Sequence, residues 1–166
     1  MKKINEKTYN YSVYPSEVEQ LIIDHLQDSD KLIYSWGQND STFWLARRAY
    51  SLCLVEPNLV SFNVIKEFMS FKNINNIKIT YDKEDYVNSI KKYPSCIFDV
   101  LTISEDLHKE ECFKLALKEA KPGGLIITSS LDLDLLEEFS NKIETYSFFS
   151  GRDYVHEETL VIRKKQ

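Results

Sequence analysis

Two features of the sequence could do chemistry together: a polar loop that contains Gly37, and a carboxylate, Glu56, that follows it by roughly 20 residues. The predicted order around them is strand, loop, helix and strand, at residues 31–35, 36–40, 41–50 and 51–55. A strand that turns into a helix and returns as a parallel strand ending in a carboxylate is how an α/β sheet holds a nucleoside. The pattern therefore indicates a nucleoside site.

Each part of this pattern has a physical role. Backbone N–H groups in the loop and at the helix start can face a polar ligand group closely where side chains stay out of the way, which favours glycine. Gly37 is the loop's single glycine, and Gln38, Asn39 and Asp40 follow it. Asn and Asp tolerate positive φ better than other side chains, so the turn is feasible. Glu56, at the tip of the second strand, can accept both hydrogen bonds of a ribose diol.

The charge balance narrows the range of partners. The 166-residue chain has a net charge of −5 and an isoelectric point near 5.3. A general nucleic-acid binder needs a basic face for the phosphate backbone, so we expect a small-molecule partner and no nucleic acid. The opening residues contain no continuous apolar segment, so we expect neither a signal peptide nor a membrane anchor. Three cysteines without CxxC spacing are typical of reduced thiols and predict a cytoplasmic protein.

The alternation of strands and helices predicts the fold. Helices are expected from Pro15 to about 26, and at 58–71, 110–120 and 131–142, with a short one ending near 92; strands are expected at 76–81, 96–103, 125–128, 146–149 and 159–163. Such an order predicts a three-layer, mostly parallel seven-stranded sheet with an antiparallel edge pair at the C-terminus. We expect one domain, residues 15–166, after an arm, residues 1–14, that lies on the domain or on a second subunit of a homodimer.

Four stretches resemble one known family, the Rossmann-like class I S-adenosylmethionine-dependent methyltransferases. They are SWGQNDSTFWLA at 35–46, LVEP at 54–57, FDVLTISED at 98–106 and LKEAKPGGLIITSS at 117–130. The first resembles a degenerate form of the family's glycine-rich motif, and the last contains the Lys-Pro-Gly-Gly turn that is typical before the fifth strand. The resemblance covers residues 30 to 163 and implies S-adenosylmethionine as the cofactor.

By position, the resemblance implies a role for each matching residue. The loop with Gly37, Asn39 and Asp40 lines the methionine end of the cofactor, Glu56 binds the ribose, and Asp82 meets the adenine amine. Trp36 either shelters the cofactor or covers the sheet edge, and we favour the former. Glu105 and Asp106 border the methyl-transfer pocket, and Ser35 and Glu105 complete the set of cofactor-binding residues.

The sequence also departs from the family. The acid expected at the end of the first strand is Ser35, which removes a charge-assisted contact worth about 1.5–3 kcal/mol. Some relatives hold a divalent metal through acids after strands four and five, but the corresponding residues here are Ser104 and the Ser129-Ser130 pair. Hydroxyls are poor ligands for a hard cation, so we predict no metal.

Methyl transfer to a small molecule is a direct displacement that needs alignment, with a base where the acceptor holds a proton of high pKa. The candidates for that base are Glu105, Asp106, His108 and His156. The alternative is a catalytically inactive methyltransferase-fold relic, serving as a binding or assembly module, in which Ser35, Asn39 and Asp40 record the loss of the cofactor. Nicotinamide-dependent oxidoreduction ranks well below both, because the GxGxxG motif is absent.

Overall fold

A computed structural model describes residues 12–28, 30–104, 106, 108–152 and 155–166, with the backbone alone for 150–152 and 155–157. The helices are α1 (Ser16–His25), α2 (Thr42–Ala46), α3 (Leu59–Lys72), α4 (Lys109–Glu119) and α5 (Leu133–Glu138), with a 3-10 helix at Val87–Lys92. The strands are β1 (Leu32–Trp36), β2 (Ser51–Glu56), β3 (Ile77–Tyr81), β4 (Phe98–Ile103), β5 (Ala120–Thr128), β6 (Ile143–Arg152) and β7 (Val155–Lys164).

The strands form one seven-stranded sheet in the order β3-β2-β1-β4-β5-β7-β6. The first five strands are parallel, and β7 joins β5 and β6 in antiparallel pairs. The predicted fold class is therefore confirmed. The strand order reverses direction between β1 and β4, and ligands of open α/β sheets bind outside the carboxyl ends of the strands at such a point.

Helices cover both faces of the sheet. All six residues of β2 and all six of β4 are buried, as expected for central strands with two covered faces. Successive residues of β1 alternate between the two cores: Ile33 packs with Phe43 and Ile65, and Tyr34 packs with Phe98. The period of two fixes which side chains of β1 face each helical layer.

The helix predicted at 41–50 ends at Ala46, so its predicted length was wrong. The amide of Asn76, 30 residues away, donates to the carbonyl oxygens of Ala46 at 2.6 Å and Ala49 at 3.1 Å. Tyr50 N–H already pairs with the Lys31 carbonyl oxygen at the start of β1. These distant partners satisfy backbone hydrogen-bonding groups of residues 46–50, so the chain forms a turn there and not a further turn of helix. The periodicity of the sequence does not reveal such partners.

Strand β5 begins earlier than predicted. The Lys-Pro-Gly-Gly stretch was expected to form a turn before this strand, but it lies within β5. A Cβ at Gly124 would lie 2.9 Å from the Lys121 carbonyl oxygen and 3.2 Å from that of Asp99. Glycine is required there because the two backbones approach closely.

Four other predicted elements also differ in length or type. The helix expected at 131–142 shrinks to α5, and the short helix before residue 92 is a 3-10 helix. The two C-terminal strands are longer than predicted, with ten residues each. Of the predicted arm, residues 1–11 lie outside the described part of the chain. Within the described residues, no helix has the length and apolar character that crossing a membrane requires.

A buried carboxylate joins the elements at the amino edge of the sheet. Asp99 on β4 is 3% exposed, and Lys121 Nζ lies 3.0 Å from each of its oxygens. Lys31 Nζ lies 3.4 Å away, and Leu32 N–H donates to Oδ2 at 2.9 Å. Burial raises the pKa of Asp99, but the Leu32 N–H and the two lysines outweigh burial and hold that pKa below its ordinary value. Asp99 thus ties β1, β4 and β5 together.

Candidate functional site

The loop after β1 makes the turn that the sequence predicts. Gly37 has φ of +77°, a conformation that glycine adopts without steric cost. Its N–H donates to the Val55 carbonyl oxygen at 2.9 Å, which holds the turn against the end of β2. The loop therefore crosses directly over the carboxyl end of the neighbouring strand.

Glu56 lies beside this loop, at the end of β2. Its Oε2 accepts a hydrogen bond from Gln38 N–H at 3.2 Å, and its Oε1 accepts one from Asn58 N–H at 3.0 Å. The residue is 2% exposed. The structure thus brings the loop and the carboxylate together.

Asn39 bridges the point where the strand order reverses. Its Nδ2 donates to Ser104 Oγ at 3.0 Å and to the Tyr14 hydroxyl oxygen at 3.2 Å. Its Oδ1 accepts from Ser41 N–H at 2.9 Å, which fixes the orientation of the amide. Because Ser104 follows β4, this side chain links the loop after β1 to the carboxyl end of β4.

Ser35 is buried beneath the same loop. Its hydroxyl donates to the Gly37 carbonyl oxygen at 2.8 Å and accepts from Thr102 Oγ1 at 2.7 Å. Both bonds lie within the sheet and the turn. Ser35 therefore supports the loop from below.

Trp36 points into the core, contrary to the favoured expectation that it shelters a ligand. The residue is 0% exposed, and its indole N–H donates to the Val87 carbonyl oxygen at 3.1 Å. The Tyr34 ring packs against it edge-on, with the ring centroids 4.7 Å apart. A fully buried side chain has no surface left for a ligand, so the structure does not bring Trp36 into the site.

Asp82 follows β3 and lies next to the end of β2, where its N–H donates to the Glu56 carbonyl oxygen at 3.2 Å. Its side chain is engaged locally: Oδ2 pairs with Lys92 Nζ at 2.7 Å and Oδ1 accepts from Asp85 N–H at 2.8 Å. The hydrogen bond from Lys92, followed by that from Asp85, lowers the pKa of Asp82. Asp82 is thus an ionised carboxylate close to Glu56.

A cavity of about 490 Å³ opens at the carboxyl edge, within the range of small-molecule sites, about 300–1,000 Å³. Loop residues after β1, β4 and β5, the start of the described chain, and β7 supply its wall. The lining consists of Val13, Tyr14, Asn39, Ile103, Ser104, Asp106, Lys109, Ile127, Thr128, Ser129, Ser130, Glu158 and Thr159. Glu56 and Gly37 lie outside this lining, while Asn39 and Ser104 belong to it.

Lys109, at the start of α4, ties together two loops of the cavity wall. Its Nζ lies 2.5 Å from Asp106 Oδ1, 2.5 Å from Ser129 Oγ and 3.5 Å from the Ser130 carbonyl oxygen. The Asp106 side chain is 92% exposed, so it lies at the rim of the cavity. Lys109 thus contacts both the loop after β4 and the loop after β5.

The other candidate bases are placed differently. His108 is exposed, with Nδ1 3.7 Å from Glu111 Oε1, and it lines a neighbouring pocket of about 390 Å³ that also contains Asp106. Glu105 lies outside the described residues, as does the side chain of His156. Asp40 is half-buried in the loop. Of the four candidate bases, Asp106 is the one described in the wall of the larger cavity.

Tyr14 belongs to the site, and the sequence interpretation missed it. Its ring packs edge-on against Trp44, with the centroids 6.4 Å apart, and Val13 N–H donates to Ser41 Oγ at 2.9 Å. Burial raises the pKa of Tyr14 to about 12, with the hydrogen bond from Asn39 acting in the opposite direction. The tyrosines of the N-terminal arm were the available signal, but nothing in their spacing shows where the arm lies.

Among the described residues, no group of three or more His, Cys, Asp and Glu side chains lies close enough together to hold a metal ion. Ser104, Ser129 and Ser130 lie in the cavity wall. The absence of a metal stays a prediction.

Solved structures share this fold. An O-methyltransferase from Bacillus cereus in complex with SAH matches with a TM-score of 0.73 at 18% identity, covering 93% of this chain and 83% of that one. An rRNA methylase from Streptococcus thermophilus matches with a TM-score of 0.69 at 13% identity, covering 93% of this chain and 99% of that one. A precorrin-6y C5,15-methyltransferase from Geobacter metallireducens matches with a TM-score of 0.66 at 12% identity, covering 99% of this chain and 97% of that one. The chain therefore has the Rossmann-like fold of the class I methyltransferases.

No protein-family model matches the chain, and no curated protein matches it in sequence.

Proposed function

We propose that the protein is an S-adenosylmethionine-dependent methyltransferase that acts on a small molecule. The observation that carries this proposal is the cavity of about 490 Å³ at the carboxyl edge, lined by Asn39 after β1 and by the ends of β4 and β5, in a fold that methyltransferases share. Neighbours of the same fold are described as acting on RNA as well. A net charge of −5 favours a small acceptor over a polyanion.

The cofactor would lie across the ends of β1 and β2. The loop with Gly37, Asn39 and Asp40 would face the methionine end, Glu56 would accept the ribose hydroxyls and Asp82 would meet the adenine amine. Support comes from the contacts that already join these residues, since Gln38 N–H and Asp82 N–H both donate to Glu56. Glu105 stays part of the proposed set, and Ser35 would act from beneath the loop.

The bound cofactor supplies an electrophilic methyl group on a sulfonium. The chain must align the acceptor with that group and exclude water, which accounts for much of the rate in such a displacement. Among the candidate bases, we propose Asp106 as the carboxylate that takes the acceptor's proton, because it lines the cavity. Lys109, paired with Asp106, would hold that carboxylate in place.

Isothermal titration calorimetry with S-adenosylmethionine and S-adenosylhomocysteine tests this function. We expect saturable one-site binding, weakened about tenfold or more by Glu56→Gln, because the ribose loses a charged hydrogen-bond acceptor. Glu67→Gln, on the exposed face of α3, is the matched control and should bind as the wild type does. An absence of heat at millimolar ligand would reject the proposal.

The second candidate is a binding or assembly module that keeps the fold without the cofactor. It is favoured by the hydrogen bond from Asn39 to Ser104, which spans the gap between the β1 loop and β4, together with the 2% exposure of Glu56. In that case neither S-adenosylmethionine nor S-adenosylhomocysteine would bind the wild-type protein. Asn39→Gly, which removes the bridging side chain, would then not restore binding, because the loop would lack the remaining cofactor contacts.

A further inference from the structure

The cavity wall contains two hydroxyl groups, those of Tyr14 and Ser104, that both accept a hydrogen bond from the side-chain amide of Asn39. Asn39 Nδ2 carries two hydrogens, and it donates one to Ser104 Oγ and the other to the Tyr14 hydroxyl oxygen. The amide cannot be reversed without loss, since its Oδ1 accepts from Ser41 N–H. Both hydroxyl oxygens therefore act as acceptors towards Asn39.

The hydroxyl protons of Tyr14 and Ser104 remain free to donate. No residue in the described part of the chain accepts a hydrogen bond from either hydroxyl, and both side chains line the cavity. The hydrogens of the amide diverge by about 120°, which places the two hydroxyl oxygens about 5 Å apart. The Tyr14 phenol is protonated at neutral pH, and burial raises its pKa further, to about 12.

Two donors about 5 Å apart can each donate to one oxygen of a carboxylate, a group that has two acceptor oxygens and, when ionised, no hydrogen of its own. The rest of the cavity wall includes the apolar side chains of Val13, Ile103 and Ile127. The acidic residues of the wall have donors of their own, Lys109 for Asp106 and the Ser147 hydroxyl for Glu158.

We infer that Tyr14 and Ser104, oriented by Asn39, bind the carboxylate of the methyl acceptor, which is a small organic acid with an apolar body. The identification of the ligand as the methyl acceptor rests on the proposed function. Binding of a carboxylate by the two hydroxyl groups does not depend on that function. Tyr14 would then be a substrate-binding residue contributed by the segment that precedes the first helix.

The test is calorimetry on the full chain with benzoate as the probe and benzamide as its neutral match. The variants are Tyr14→Phe, which keeps the ring against Trp44, and Ser104→Ala; the control is Tyr50→Phe, a tyrosine that is 69% exposed and outside the cavity. We expect benzoate to bind more tightly than benzamide. Each cavity variant should weaken benzoate binding about tenfold, and the control should not.

Titrations with S-adenosylhomocysteine and 5′-methylthioadenosine, which lacks the amino-acid end, identify the source of the carboxylate. If Tyr14→Phe binds both nucleosides as tightly as the wild type does, the carboxylate belongs to the acceptor, as we infer. A loss confined to S-adenosylhomocysteine would make the carboxylate the cofactor's own and overturn the inference. Equal benzoate affinity in wild type and variants, or no preference over benzamide, would also overturn it. Failure of the wild type to bind S-adenosylhomocysteine would instead reject the proposed function.

Discussion

The two edges of the sheet each bury a carboxylate, and the partners of the two carboxylates differ. At the amino edge, Asp99 meets two lysine side chains and one backbone N–H, and these contacts join three strands. At the carboxyl edge, Glu56 accepts from two backbone N–H groups, that of Gln38 in the loop after β1 and that of Asn58 after β2, and the cavity of about 490 Å³ opens at the same edge. Burial of a carboxylate alone therefore does not indicate a functional site. The groups around it decide between a structural and a binding role.

The largest expected effect belongs to the amino edge. Asp99→Asn should lower the free energy of unfolding by about 3 kcal/mol, because Lys121 and Lys31 lose the charge that they share. Urea denaturation measures this loss, and the exposed Asp134→Asn variant is the control, with an expected change below about 0.5 kcal/mol. Nucleoside affinity should stay at the wild-type level. A stable Asp99→Asn protein that no longer binds would reverse the assignment of the two edges.

Removal of the Glu56 carboxylate should lower the free energy of unfolding less than Asp99→Asn does, but it should weaken nucleoside binding more. Glu56→Ala leaves the N–H groups of Gln38 and Asn58 without that acceptor, at an expected cost of about 2 kcal/mol. The same variant should lose nucleoside binding. Unfolding and titration experiments on one preparation separate the two effects, and intact binding by this variant would remove Glu56 from the site.

Acid should weaken the amino edge in a defined direction. The pKa of Asp99 is lowered in the folded state, so its contribution to stability is present above the pKa of the unfolded chain, near 3.9, and is lost as pH falls through the folded value. The stability difference between wild type and Asp99→Asn should therefore shrink below pH 4. Urea titrations from pH 7 to pH 3 measure it, and a difference that grows in acid would contradict the account.

We expect the smallest loss of stability from a change at Ser35, which lies beneath the Gly37 loop. Ser35→Ala removes the hydrogen bond to the Gly37 carbonyl oxygen and the one from Thr102, at a cost of about 1 kcal/mol. Nucleoside affinity should fall modestly, because the loop loses support and keeps its backbone. Hydrogen exchange of the loop amides should accelerate in this variant. Unchanged exchange would mean that Gly37 holds the turn without Ser35.

Much of the fold was predictable because its signals are local. The apolar runs of β2 and β4 and the Asn58 cap, which accepts from Val60 and Ser61 N–H, predicted these elements well. The proximity of Glu56 to the Gly37 loop also follows from their positions at parallel strand ends. Its role as a ribose acceptor stays a prediction.

The parts that the sequence did not reveal depend on distant partners. The indole of Trp36 reaches the Val87 carbonyl oxygen, 51 residues away, and this contact draws the side chain into the core. Asn76 ends α2 from 30 residues away. Tyr14 enters the site through Asn39, 25 residues later in the chain. Periodicity and motif spacing describe neighbours along the chain, so they carry no information on such contacts.

We predict that the carboxyl edge, between the ends of β1 and β2, holds an adenosine group. Calorimetric titration of the wild-type protein with S-adenosylhomocysteine is the decisive experiment. We expect saturable binding with one site per chain, weakened about tenfold or more in Glu56→Gln and retained in Asp99→Asn. No heat at millimolar ligand, or equal binding by Glu56→Gln and wild type, would contradict it.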